Sequence, residues 1–166
     1  VNLLDLTSGT LLIWRLDMKR HAGSWDSGEG AFQKGGRWNP RGLPVVYCSQ
    51  DPATAILEVA AHKGMDALDT ARHVMTCARI ADTRLIHVVK PEQIPNANWL
   101  FPGSPSRGQQ NFGLDLLQQH PFLAVPSTVS RHSWNVIFCP PTARGLYILD
   151  WQEDFALDPR LNPPDS

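Results

Sequence analysis

The segment from Gly35 to His62, GGRWNPRGLPVVYCSQDPATAILEVAAH, constrains the fold most, because it sets a glycine turn, a strand run and a helix in direct succession. LPVVYCS, residues 43 to 49, reads as a strand by its β-branched content. SQDPATAILEVAAHKG reads as a helix by its punctuation. Ser49 to Asp51 supply capping candidates, Pro52 suits the first turn and Gly64 suits the stop. Within that helix Ala53, Ile56, Leu57 and Ala60 form the expected apolar stripe. Thr54, Glu58 and His62 line a different edge at spacing four, so Glu58 is expected at the border of the core.

The rest of the chain continues in short elements. TLLIWRLD, residues 10 to 17, predicts a first strand with Leu12, Trp14 and Leu16 on one face and Arg15 on the other. Residues 19 to 36 are rich in Gly, Ser and charge without a clean period, and predict a surface loop. Residues 73 to 81 and 83 to 89 predict two strands joined by a tight turn at Asp82 and Thr83. Residues 91 to 108, with four prolines, predict irregular chain, and residues 109 to 119 carry Phe112, Leu116 and Leu117 at helical spacing. FLAVPS, SWNVIFCP and LYILDWQ give three further strand candidates before an extended tail from about residue 158. Short strands interleaved with few helices argue for an α+β class in a single domain over 1 to 166.

Composition excludes several functions. Charged residues make up 19% of the chain and the formal net charge is -1, so no surface built to neutralise many phosphates is expected, and nucleic acid is not the expected ligand. No apolar run approaches the roughly 20 residues of a membrane helix. The N-terminal stretch lacks the marks of a signal peptide, and a cytoplasmic protein is expected. Cys48, Cys77 and Cys139 are far apart and in no paired spacing, which predicts buried thiols rather than disulfides or a zinc site. No GxGxxG follows a strand and no GxxxxGK[ST] occurs, so neither a Rossmann nor a P-loop site is supported.

The residues that can carry chemistry converge on the central segment. Arg37 follows two glycines that let a ligand approach the backbone at Gly36, and its planar fork suits a pyrophosphate. An ordinary turn with a solvated arginine would carry the same residues. Tyr47 can stack on a heterocycle or donate from its hydroxyl, or simply fill the core. Glu58 must find a partner, titrate or work. Its bland alternative is an ion pair with Lys63 or His62. His62 at four residues from Glu58 invites a metal, yet there is no HExxH, and no metal is expected. Ser127 ends a strand candidate and could offer a hydroxyl to a substrate or to Glu58. Asn135 interrupts an apolar run and is expected to be hydrogen-bonded.

These residues resemble a known family. The opening Trp14 and Arg15, the block GGRWNPRGLPVVYCSQDPATAILE, the VPS of Val125 to Ser127, NVIFCP from Asn135 to Pro140 and the DPRL near the end are similar to the RES domain, the toxin half of RES-Xre bacterial toxin-antitoxin systems. The family is named for an arginine, a glutamate and a serine, for which Arg37 or Arg15, Glu58 and Ser127 stand here. The spacing of ten from Arg37 to Tyr47 and eleven from Tyr47 to Glu58 makes the central block specific. Trp14 stands where the pattern often has tyrosine, and Cys139 where NVIFCP often has a second asparagine.

The resemblance implies a fold similar to ADP-ribosyltransferase toxins and an activity that depletes NAD+ by hydrolysis or phosphorolysis of its nicotinamide-ribose bond. NAD+ would be a substrate, with inorganic phosphate as a co-substrate in the second case, and no prosthetic group is implied. The implied catalytic set is Glu58, Arg37, Tyr47 and Ser127, with Arg37, Tyr47, Arg15, Gly36, Ser127 and Asn135 around the dinucleotide. The implied partner is an Xre-type helix-turn-helix antitoxin, which would carry any DNA contact, and a homo-oligomer or higher complex with antitoxin is compatible with it. Two alternatives stay open: transfer of ADP-ribose to a protein, and a non-catalytic nucleotide-binding or antitoxin-binding module.

Overall fold

A computed structural model describes residues 4–165; Val1 to Leu3 of the expected single domain and Ser166 of the expected tail lie outside the described residues. In chain order the elements are β1 (Leu11–Met18), α1 (Glu29–Lys34), β2 (Val46–Ser49), α2 (Pro52–Lys63), α3 (Met65–Thr70), β3 (His73–Ile80), β4 (Ile86–Val88), α4 (Arg107–Gln119), β5 (Phe122–Pro126), β6 (Trp134–Phe138), α5 (Pro140–Ala143) and β7 (Tyr147–Phe155). The strands form one seven-stranded sheet in the order β4-β5-β6-β2-β1-β3-β7. Pairing is antiparallel throughout except between β4 and β5, which run parallel. This is the α+β class expected.

Strand alternation sorts the side chains into two faces. One face presents Ile13, Val46, Cys48, Phe122, Ala124, Val136 and Phe138 to a core closed by Trp25 and the half-buried Leu4 and Leu6. The other face is covered in two halves. α4 lies over Leu123, Val125 and Ile137 through Leu117 and Phe112. α2 and α3 lie over Leu16 and Met75 through Ala55, Ile56, Val59 and Leu68. Among the described residues no helix is long and apolar enough to cross a membrane.

Four local readings change. Residues 19 to 36 are not simply a loop: a 3-10 turn spans Lys19–Ser24 and α1 follows. Six residues are too few to show a helical period, and the signal that a turn begins there is Gly28, at φ 69, where a Cβ would meet the Val45 amide nitrogen at 2.7 Å. Residues 73 to 89 do not form a hairpin. Asp82 accepts from the Arg84 N–H (3.0 Å) and caps a 3-10 turn, and both edges of β3 are taken by β1 and β7. β4 therefore leaves for the far edge of the sheet and joins β5.

The tail from about residue 158 also departs from extended chain, since Asp158 caps a 3-10 turn over Pro159–Leu161. The fourth change bears on the site. The inward face of α2 is Ala55, Ile56, Val59 and Ala60, whereas Leu57 is 43% exposed and Ala53 is exposed. The helix is turned so that Thr54, fully packed, and Glu58 face the sheet instead of skirting it.

Candidate active site

The seam between the two helical halves is lined by polar side chains from three adjacent strands. Ser49 of β2 stands opposite Asn135 of β6, and Asn135 stands opposite Val125 of β5, two residues before Ser127. Residues paired in this way point to the same face, so Ser49, Asn135 and Ser127 all project toward α2. α2 answers with Glu58. Asp51 caps that helix by accepting from the Thr54 N–H (2.8 Å) and Thr54 Oγ1 (2.7 Å), which leaves Ser49 free of capping duty.

Glu58 is clamped at one oxygen. Ser127 Oγ donates to Glu58 Oε1 at 2.9 Å, and Asn135 Nδ2 donates to the same oxygen at 2.5 Å. Ser49 Oγ donates to Asn135 Oδ1 at 2.8 Å, which fixes the amide so that its nitrogen faces the carboxylate. Ser127 is itself held, fully buried, by the N–H groups of Val129 (3.2 Å) and Ser130 (3.1 Å). Among the described residues no hydrogen bond reaches Glu58 Oε2, and Glu58 makes no ion pair. His62 and Lys63 are exposed on the helix. Held charge beside an unengaged oxygen is what a site needs to meet a developing cation.

Tyr47 lies two residues before Ser49 on the same strand face, about 7 Å along it. Its hydroxyl donates to Asn39 Oδ1 at 2.6 Å and accepts from the Trp38 N–H at 3.2 Å. Burial pushes this phenol well above its ordinary pKa, while the Trp38 bond and the charge of Arg37 pull the other way, so it stays neutral at physiological pH. The hydroxyl is thus committed, and the ring is what remains for a ligand.

Asn39 organises the turn that carries Arg37. It is fully buried, and its Nδ2 donates to the carbonyls of Ala31 (3.2 Å), Pro40 (2.9 Å) and Leu43 (3.2 Å). Gly36 is bound on both sides, its N–H to the Asn39 carbonyl (2.9 Å) and its carbonyl to Gln110 Nε2 (2.8 Å). Its contribution is space: a Cβ there would lie 2.5 Å from the Tyr47 hydroxyl. Arg37 is half-buried and spends one N–H on the Trp99 carbonyl (2.8 Å), leaving most of its five donors unspent. It forms one wall of a cleft of about 480 Å³.

α4 is seated against this turn through Gly113, where a Cβ would meet the Trp38 carbonyl oxygen at 2.0 Å. Only glycine permits that approach.

Arg15 is not brought to this cluster. Trp14 pairs with Ser49, so Trp14 shares the face of the seam and Arg15 projects from the opposite one. There its guanidinium is spent on Asp17 (2.8 and 2.9 Å) and on the Tyr47 carbonyl (2.8 Å). The sheet separates it from Glu58. Ser49 and Asn39 are the site residues that sequence reasoning missed. Asn-Pro at 39 and 40 was a turn signal, while Ser49 read as one of several possible caps.

The three cysteines are buried free thiols. Burial pushes Cys48 up to about 12 and Cys139 up to about 11, so neither carries a useful thiolate fraction near pH 7.

Comparison with known proteins fits this geometry. The family model described as RES domain matches residues 12–158. The chain belongs to the RES domain family. This RES domain is 31% identical over 155 residues to Toxin Res of Pseudomonas putida, covering 91% of this chain and 99% of that protein. It is 30% identical over 146 residues to the Prs ADP-ribosylating toxin of a Sphingobium species, covering 82% of this chain and 88% of that one. Its fold is shared with a chain in the crystal structure of the M. tuberculosis MbcT-MbcA toxin-antitoxin complex. There the TM-score is 0.65 at 17% identity, over 89% of this chain and 85% of that one.

Proposed function

We propose that this RES domain is the toxin of a toxin-antitoxin pair and degrades NAD+ by breaking the bond between nicotinamide and ribose. The observation that carries the reading is the clamp on Glu58, which fixes a carboxylate through Ser127 and Asn135 and leaves Oε2 unengaged. Breaking that bond sends its electron pair with the neutral pyridine and leaves an oxocarbenium-like ribose. A preorganised negative charge against the sugar lowers the energy of that cation. Oε2 serves the ribose, the ring of Tyr47 packs on the ribose or the pyridine, and the unspent donors of Arg37 grip the pyrophosphate. Ser127 and Asn135 act through Glu58 as positioning residues. Water completes hydrolysis by adding its oxygen to the sugar carbon and releasing a proton, and inorganic phosphate adds its oxygen in phosphorolysis.

The names of the relatives support the toxin role, and the MbcT-MbcA likeness supports an antitoxin partner, which we take to be of the Xre helix-turn-helix type. A second reading, transfer of ADP-ribose to a protein side chain, is favoured by the name of the Sphingobium relative. Incubating the purified chain with NAD+, with and without phosphate, separates these outcomes by mass spectrometry. Free ADP-ribose reports water, ADP-ribose 1''-phosphate reports phosphate, and a mass added to protein reports transfer. Glu58→Gln should keep the fold and lose nicotinamide release by about two to three orders of magnitude. Unchanged release in that variant removes Glu58 from the mechanism.

A further inference from the structure

The cleft walled by Arg37 shares none of its walls with the Glu58 cluster and is otherwise built from one irregular segment, with Asn96, Asn98, Phe101, Ser104 and Ser106 along it. Its volume, about 480 Å³, falls within the usual range for small-molecule sites. The segment is not slack at this point. The Trp99 carbonyl takes an N–H from Arg37 (2.8 Å), Asn96 Nδ2 donates to the buried Gln109 Oε1 (3.0 Å), and the Asn98 N–H returns to Asn96 Oδ1 (3.0 Å). Ser106 caps α4 by accepting from the Gln109 N–H (3.3 Å), so the start of a thirteen-residue helix adjoins the cleft. Phe101 is the outlier. It is 67% exposed, the most exposed large apolar side chain among the described residues, and it shares the cleft with polar side chains and with Pro102 and Gly103.

We infer that this cleft takes the adenosine end of the dinucleotide, with Arg37 on the phosphates at its mouth and the ring of Phe101 stacked on the purine. The inference deepens the NAD+ reading and rests on it for the direction in which the substrate lies. An exposed aromatic ring beside an arginine is the pairing that a nucleotide rewards. The guanidinium matches the phosphate, every base offers a flat π-face, and covering the ring removes apolar surface from water. Contacts run from the turn that carries Arg37 to Tyr47, then along the same strand to Ser49, and from there through Asn135 to Glu58, so the inference places a purine and a pyridine at opposite ends of one ligand.

The test uses 5'-AMP and ribose 5-phosphate as probes by isothermal titration of the wild-type chain, Phe101→Ala and Phe101→Trp. Phe101 is exposed, so neither substitution opens the core. We expect wild type to bind 5'-AMP, Phe101→Ala to bind it about tenfold more weakly, and Phe101→Trp to retain it. Ribose 5-phosphate, which lacks the base, should bind wild type and Phe101→Ala alike, and the KM for NAD+ should rise about tenfold in Phe101→Ala. The inference is overturned if wild type does not bind 5'-AMP, if Phe101→Ala binds it undiminished, or if the variant loses both probes equally. The AMP titration needs no turnover. Should wild type release no nicotinamide from NAD+, the proposed reaction fails while the titration still decides the cleft.

Discussion

Ser127 gives its only hydrogen to Glu58, at 2.9 Å, across a separation of 69 residues in the chain. The N–H groups of Val129 and Ser130 occupy the acceptor side of the same hydroxyl, so Ser127 has nothing left with which to take a proton or attack a sugar. Its place in the mechanism is to hold the acid.

Ser127→Ala should therefore act on both stability and rate. Two partly buried N–H groups lose their acceptor, at a cost of about 1–3 kcal/mol, and Glu58 keeps Asn135 alone. We expect nicotinamide release to fall by about tenfold or more, with KM for NAD+ little changed. Denaturant unfolding and steady-state kinetics on the same preparation check both halves. A variant with full rate would show that the serine bond is idle.

Ser49→Ala tests the layer behind. Ser49 touches Asn135 and not Glu58, so any effect on turnover has to pass through the orientation of that amide. Removing the hydroxyl leaves Asn135 Oδ1 without its donor, and we expect kcat to drop about tenfold while KM stays near wild type. Ser49→Thr, which restores the hydroxyl, should recover most of the rate if the methyl fits against the seam. A KM effect with constant kcat would point to ligand contact instead.

Gly36→Ala should disturb Tyr47. The added carbon would sit 2.5 Å from the phenol oxygen and 2.8 Å from Asn39 Oδ1, and the phenol cannot retreat without breaking its bonds to Asn39 and the Trp38 N–H. Overpacking of this kind costs about 1–3 kcal/mol. In a chain of this length each kcal/mol lowers Tm by about 2–4 °C. Thermal unfolding checks the loss, and an unchanged Tm would mean that the turn relaxes freely.

His87 gives the fold a pH dependence of definite sign. Burial, followed by the neighbouring His120 stacked on it at 4.3 Å, lowers its pKa below the ordinary 6.5. Below that ordinary value the unfolded chain binds the proton that the folded chain resists, so unfolding free energy rises with pH through this window and is fully present above it. We expect stability to decline as pH falls below about 6.5, and His87→Gln to flatten part of that slope in urea titrations at several pH values. An identical slope in the variant would assign the dependence to other groups.

Much of this was legible before any coordinates. Alternating, apolar and β-branched runs located β1, β2, β3, β5, β6 and β7, and the Asp51, Pro52 and Gly64 punctuation located α2 within a few residues. A hydroxyl offered to Glu58 is one of the two options the sequence leaves for Ser127, and Asn135 is legible as a residue that needs a hydrogen-bond partner. The facing of α2 was not legible, because Leu57 is as apolar as the residues that are buried, and both the packing of Ala55 and Val59 and the clamp on Glu58 depend on tertiary partners. Nor was the side of the sheet on which Arg15 would act. Alternation gave it the face opposite Trp14, but only the pairing of Trp14 with Ser49 says which face holds the seam. The parallel placement of β4 beside β5 was hidden for a similar reason, since a three-residue strand carries no mark of its neighbour.

The glycine at 113 reaches further than its size suggests. By letting one helix rest directly on the carbonyl of Trp38, the residue after Arg37, it makes the aim of a charged side chain depend on how closely two stretches of main chain can lie. A methyl group introduced there would be paid for in substrate grip as well as in melting temperature, at a position that offers a ligand no functional group of its own.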